Sequence, residues 1–373
     1  MVRRLARAVL FDLCLVLAVP AFLQAQTLGV TKPAGKEPTL ILGGLVQVQA
    51  EFGDRGDTRF GNDNDRFYLR RARLNAAGKF LEEFDFRVEG DFAGTLSNTS
   101  ALRAQLTDGY LTWNRYPEAN VRMGQFKTPF GFEQLYSDPR LLLLERSLAN
   151  DRLTLSRQLG VQVGGDLFEK RLSYAVGAFN GNGANNNFND DDSFLTTGRL
   201  SGVLWQGKLM GQSAAWSLGG NVFTSEDTSV SAGSDFGFDS TPSTPDRDGI
   251  FAGERIGTGF DTQVNVGRFD LWAEYLDVQW EPTSGRPSAE VESDGLYVQG
   301  SYYLIANRLQ LVLKAESFDP VVEDSTGPTE IGTAGLSWHF KAHDMKFLVN
   351  YLHVRNEGQD DQGKLLARMQ VIF

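Results

Sequence analysis

The feature that most constrains this chain is the order of its connections. Extended segments are joined alternately by tight turns and by long loops. Within the segments every second residue is apolar, as in Val46-Gln47-Val48-Gln49-Ala50-Glu51-Phe52. In the segment from Phe84 to Phe92, Asp85, Arg87, Glu89 and Asp91 share one face, and Phe84, Phe86, Val88 and Phe92 the other. Alternation of this kind marks a strand with one apolar face. It does not by itself separate a soluble sandwich from a membrane barrel, which turns the apolar face outward to lipid. The connections make that separation. Sixteen strands are expected near residues 40–52, 66–77, 81–93, 104–114, 120–126, 158–167, 171–180, 196–205, 214–224, 259–267, 269–280, 294–304, 309–318, 329–340, 345–355 and 364–373. The long loops are 53–65, 94–103, 127–157, 181–195, 225–258, 281–293, 319–328 and 356–363. Between them lie turns such as Ala77-Gly78-Lys79, Phe168-Glu169-Lys170, Gly267-Arg268 and Lys341-Ala342-His343-Asp344. Short turns on one side and long loops on the other are the pattern of an outer-membrane barrel. The expected fold is all-β: a transmembrane antiparallel β-barrel of about 16 strands, with both ends of the sheet on the periplasmic side.

The N-terminus agrees with that compartment. Arg3, Arg4 and Arg7 precede the apolar run Leu13–Val19, and small residues follow at Ala21 and Ala25. This is the layout of a secretory signal peptide, expected over 1–25, with cleavage after Ala21 or after Ala25. Residues 26–39 read as a polar periplasmic lead-in, and 40–373 as the barrel. The single cysteine, Cys14, falls in the signal. No lipoprotein box surrounds it, so no lipid anchor is expected, and no disulfide is needed in an oxidising compartment. The last strand puts Leu365, Ala367, Met369, Val371 and Phe373 on one face and ends on an aromatic residue.

Without residues 1–25, 33 basic and 46 acidic residues remain, a net charge of −13. That balance argues against a nucleic-acid partner. The acidity is local. Loops 53–65, 181–195, 225–258 and 356–363 carry −2, −3, −5 and −3, which accounts for all of it. Solubility explains such loops; divalent bridges to lipopolysaccharide are a sharper alternative, and outer-membrane lipid is the expected surrounding. Loop 127–157 differs, with a net charge of +1 and the run Leu141-Leu142-Leu143-Leu144, which needs a wall to pack on. Ordered loops of this length are usually functional.

The most basic strand segment is Arg66-Phe67-Tyr68-Leu69-Arg70-Arg71-Ala72-Arg73-Leu74. Phe67 and Leu69 are out of phase with Ala72, Leu74 and Ala76. Strict alternation would force an arginine into lipid at roughly 2–4 kcal/mol. A β-bulge at Arg70-Arg71 removes the conflict by inserting one residue, and would direct Arg70, Arg71 and Arg73 into the lumen. Arginines there would attract phosphate or carboxylate through their planar forks.

Five segments carry a family resemblance: Phe67–Leu74, Gly124–Glu133 (GQFKTPFGFE), Leu144–Leu148 (LERSL), Arg157–Gly160 (RQLG) and Gly177–Gly181 (GAFNG). In order and spacing the chain resembles the phosphate-selective porin O/P family. The resemblance implies a homotrimeric, sixteen-stranded outer-membrane channel with its third extracellular loop, here 127–157, folded into the lumen as the constriction. It further implies an anion site at Arg70, Arg71 and Lys127, with Arg140 and Arg146 contributing. The wall row Asp85, Arg87, Glu89, Asp91 is mixed in sign and shows no continuous ladder of arginines.

No cofactor or metal is expected: His339, His343 and His353 have no ligand spacing, and neither a G-x-S-x-G elbow nor a phosphate-binding glycine loop occurs. An enzyme is therefore not expected. Three readings stay open: a passive channel for small inorganic or organic anions such as phosphate or polyphosphate, a weakly selective general porin, and a surface receptor or structural barrel acting through its acidic loops.

Overall fold

The computed structural model describes residues 38–60, 65–93, 103–238, 249–283, 289–322 and 327–373. The expected signal peptide, its cleavage sites and most of the lead-in lie outside these residues. Sixteen antiparallel strands close into one barrel in sequence order: β1 (Thr39–Gly53), β2 (Arg66–Phe80), β3 (Phe84–Asp91), β4 (Gln105–Tyr116), β5 (Ala119–Lys127), β6 (Arg157–Leu167), β7 (Leu172–Phe179), β8 (Leu195–Leu209), β9 (Gln212–Ser231), β10 (Ile250–Val266), β11 (Phe269–Pro282), β12 (Val291–Ile305), β13 (Leu309–Asp319), β14 (Thr329–Lys341), β15 (Met345–Arg355) and β16 (Gln362–Ile372). The seam is a regular ladder from Leu45↔Ile372 to Gly53↔Lys364. Closure satisfies every strand's backbone groups without leaving an edge, as lipid demands.

Alternation sorts the side chains as expected. On β16, Leu366, Arg368 and Gln370 are buried, and Leu365 and Val371 are exposed. Phe67, Leu69, Leu74, Met123, Leu200, Phe260, Leu296, Leu313 and Leu336 stand on the outer face. The phase conflict on β2 is resolved by a bulge. Gln47 pairs with Arg71 and Val48 with Leu69, so Arg70 is the extra residue. Leu69 and Leu74 both stay outside, while Arg71 and Arg73 are buried.

Several strand bounds differ from the sequence reading, β8 for instance running on to Leu209. The β2–β3 turn is Leu81–Glu83, because β2 continues through Gly78 to Phe80. Leu81 and Glu82 adopt φ 51° and 58°, a left-handed pair built without glycine. Both ends of the acidic stretch 225–258 are ladder: β9 runs to Ser231 and β10 begins at Ile250. Asp227 and Arg255, placed in that loop by composition, form a buried salt bridge of 2.7 Å between the two strands.

The β5–β6 connection contains α1 (Phe132–Leu135), a 3-10 turn (Asp138–Arg140) and α2 (Leu148–Leu153). Leu141, Leu142, Leu143 and Leu144 are all buried. Leu142 and Leu143 cluster with Trp272, Tyr297 and Val312. Leu144, Leu148 and Leu153 join Leu276, Phe318, Ile331, Leu348, Leu352 and Leu366. Each buried leucine contributes roughly 1.5–3 kcal/mol. Two wall glycines make the approach possible. A Cβ on Gly295 would stand 2.4 Å from that of Ala149, and one on Gly335 2.5 Å from Leu143 Cδ2.

Candidate functional site

The connecting segment 128–156 is fastened to wall side chains far from its own strands. Both helices are too short to be stable alone, and each has N-terminal N–H groups without intrahelical partners. Wall carboxylates accept them. Glu274 of β11 takes the amides of Phe132 and Glu133 at 2.5 and 3.1 Å, and the Asn150 side-chain amide at 2.8 Å. Glu316 of β13 takes the amide of Leu148 at 3.1 Å. Ser147 caps α2 by accepting from the Asn150 amide at 3.2 Å. A negative group at a helix N-terminus also complements the helix dipole.

The arginines of β2 meet this segment from the other side. Arg70 donates through Nε and Nη2 to Glu145 at 3.0 and 2.9 Å, a bidentate pair. Arg368 of β16 reaches the same carboxylate at 2.5 Å and the Leu144 carbonyl at 2.6 Å. Asp138 receives Arg71 at 3.4 Å, Arg73 at 2.6 Å and Arg146 at 2.5 Å. Burial opposes ionisation of Glu145, but Arg70 and Arg368 overcome it and hold its carboxyl below the usual range. Asp138 is buried likewise and is held well below that range by Arg146, Arg71 and Arg73. Lys346 and Gln370 donate to the carbonyls of Leu141 and Pro139, both within 3.0 Å.

Two adjoining cavities of about 330 Å³ each lie beside the segment, one of them reaching Gly44, Leu45, Arg73 and Ile372 of β1, β2 and β16. Asp108, Tyr110, Lys127 and Leu135 line both, and so mark the passage between them. Together the cavities are lined by Arg73, Arg87, Arg122, Lys127, Arg157 and Arg199, against Glu89, Asp108 and Asp138. Most of these cations have a carboxylate at hand. Arg157 pairs with Asp108 at 2.8 Å, Arg87 with Glu89 at 2.5 Å and Arg199 with Asp261 at 2.7 Å. Lys127 and Arg122 make no salt bridge among the described residues. Lys127 Nζ donates to the carbonyls of Gln134 and Tyr136 at 2.7 and 2.9 Å. Arg122 donates through Nε to Thr112 at 3.1 Å and lies 4.4 Å from the Tyr110 ring centroid.

The six residues singled out by sequence do not form one site. Arg70 and Arg71 line neither cavity; they and Arg146 tie down segment 128–156. Arg73 does both. Arg140 is exposed on the 3-10 turn. Lys127 alone sits at the passage, with Arg122, Arg157 and Arg199 beside it. Arg122 and Arg199 carry no local sequence signal, being single basic residues on otherwise ordinary alternating strands.

The model of the family described as phosphate-selective porin O and P matches residues 45–373. The chain belongs to that family. It is a porin of the bacterial outer membrane, a channel and not an enzyme. Porin O of Pseudomonas aeruginosa is 22% identical over 400 residues, covering 91% of this chain and 89% of its own. Among solved structures, the anion-selective porin from Comamonas acidovorans superimposes with a TM-score of 0.60 at 13% identity, covering 90% of this porin and 100% of its own chain. A trimer form of OmpT from Vibrio cholerae gives 0.59 at 10% identity, covering 91% and 100%. At these identities the structural likeness concerns the barrel fold.

Proposed function

We propose that this porin is a passive diffusion channel that prefers small anions, phosphate and polyphosphate among them. The observation that carries the reading is the passage itself, where Lys127 and Arg122 make no salt bridge among the described residues, in a lining of six basic and three acidic residues. Low-dielectric walls strengthen such charges relative to bulk water. In this reading segment 128–156 is the third extracellular loop, folded into the lumen as the constriction. Its hydrogen bonds to β1, β2, β11, β13, β15 and β16 support that, since those strands lie around the barrel from β5 and β6. Arg70, Arg71, Arg73 and Arg146 then hold the loop against the wall, and Lys127 meets the permeating ion. Arg140, exposed and free of salt bridges among the described residues, adds a positive charge beside them. The porin acts as a homotrimer in contact with outer-membrane lipid and lipopolysaccharide, a reading supported by the trimer form of the Vibrio relative.

The test is the reversal potential of purified porin in planar bilayers under a potassium chloride gradient. Anion preference is expected. Cation preference overturns the reading, and no preference makes this a general porin. Absence of conductance favours a receptor that works through its acidic loops.

A further inference from the structure

We propose that the passage favours phosphate monoesters with a flat, apolar body over inorganic phosphate. The proposal rests on the anion reading above and adds a substrate class to it. Two cations without a salt bridge among the described residues suit the charge of a phosphate monoester, about −1.5 to −2 at neutral pH. Both retain donors for it. An ammonium has three N–H groups, and Lys127 spends two on the carbonyls of Gln134 and Tyr136. A guanidinium has five, and Arg122 spends Nε–H on Thr112.

The apolar half of the cavity is what inorganic phosphate would leave unused. Tyr110, Phe126, Pro129 and Leu135 line it beside the two cations. Tyr110 and Phe126 meet edge to face, with centroids 6.0 Å apart. The Arg122 guanidinium lies 4.4 Å from the first centroid and 5.4 Å from the second. Aromatic faces of this kind hold a guanidinium in one orientation, which presents its fork ready-made to an anion. The volume, about 330 Å³, falls in the range of organic-ligand pockets, which are mainly apolar with a few placed polar groups. Phe126 and Pro129 are themselves buried, so a body set against Tyr110 and Leu135 would remove apolar surface from water while the phosphate stays on Lys127 and Arg122.

Phenyl phosphate and methyl phosphate share a head and differ in body, so they isolate the claim. Chloride current through the full-length porin is recorded in planar bilayers near neutral pH while each ester is added. Phenyl phosphate is expected to halve the current at roughly one tenth of the methyl phosphate concentration, equivalent to about 1.4 kcal/mol. Tyr110→Ala and Arg122→Lys are each expected to bring that ratio towards one. The second keeps the charge, so its effect reports the planar stack, and it serves alone if the first variant fails to assemble. Equal potency of the two esters in the natural chain overturns the proposal and leaves the anion reading standing. A ratio unmoved by both variants also overturns it. A cation-selective reversal potential in the same bilayers removes the anion reading instead.

Discussion

The wall made by β10–β16 with β1 and β2 and the wall made by β3–β8 meet the same loop with opposite chemistry. On the first, Glu274 and Glu316 cap helices of the loop, and Arg70, Arg71 and Arg368 are consumed by Glu145 and Asp138. Leucines fill what space remains. On the second, the loop backbone leaves a polar passage, where Arg87, Arg157 and Arg199 are paired with carboxylates but Lys127 and Arg122 have carbonyl, hydroxyl or aromatic partners instead. The number of arginines on a wall is therefore a poor guide to its field. The paired ones are structural, and their attraction for a passing anion is largely cancelled within a few ångströms. In the proposed reading, selectivity is carried by the cations that pairing leaves over.

The comparison breaks most visibly at Asp138. Asp138→Ala strands Arg71 and Arg146, while Arg73 keeps Asp91 at 2.8 Å, and removing one partner of a buried ion pair costs about 3–5 kcal/mol. Heat-modified migration on gels is expected to shift to lower temperature and single-channel conductance to rise as the loop loosens. Unchanged conductance would mean that the leucine packing holds the loop alone. Next, Gly295→Val drives a side chain into Ala149, and overpacking of this kind costs roughly 1–3 kcal/mol; the same two measurements apply, with a smaller shift. On the open wall, Lys127→Gln is expected to change the anion-to-cation permeability ratio by roughly tenfold, about 1.4 kcal/mol, whereas Arg70→Gln changes it far less. Equal effects on reversal potential would erase the distinction between the two walls.

The smallest effect is with pH. Glu145 and Asp138 have depressed folded pKa values, so their contribution is present above the ordinary carboxylate range near 4 and is lost only as pH falls below it. His343, in the β14–β15 turn, is lowered to about 4 by burial and then by Lys346, His339 and Arg140. Between an ordinary histidine pKa of about 6.5 and that value, the unfolded chain takes up a proton that the turn refuses, so stability falls as pH drops through the window. His343→Gln is expected to flatten that slope in melting experiments between those pH limits while leaving the drop in stronger acid.

The barrel was legible because alternation and turn spacing are local signals. Sixteen strands occur in the expected order, each overlapping its expected stretch, and the bulge at Arg70 followed from a phase conflict visible in nine residues. The Leu81–Glu83 turn was not legible, because its left-handed residues are not glycines. The extension of β9 and β10 was missed for a different reason: beyond the bilayer the ladder continues without alternating apolar residues to announce it. The roles within the site were the least legible. Nothing near Arg70 in sequence indicates that Glu145 will occupy it, or that Asp138 will take Arg71. Arg122 stands out only once Tyr110, Phe126 and Lys127 are seen around it.

The long-range fastening of the loop implies an order of assembly. The amides of Phe132 and Leu148 find acceptors 142 and 168 residues away, and Glu145 is held by Arg368, 223 residues away. Before β11, β13 and β16 are in place, the amides of Phe132 and Leu148 lack these acceptors and Glu145 keeps only its pair with Arg70 of β2. The fastening of segment 128–156 is therefore complete only once β11, β13 and β16 are in place. A folding intermediate trapped before closure should be protease-sensitive between Pro129 and Leu155 and become resistant in the same step that completes the sheet.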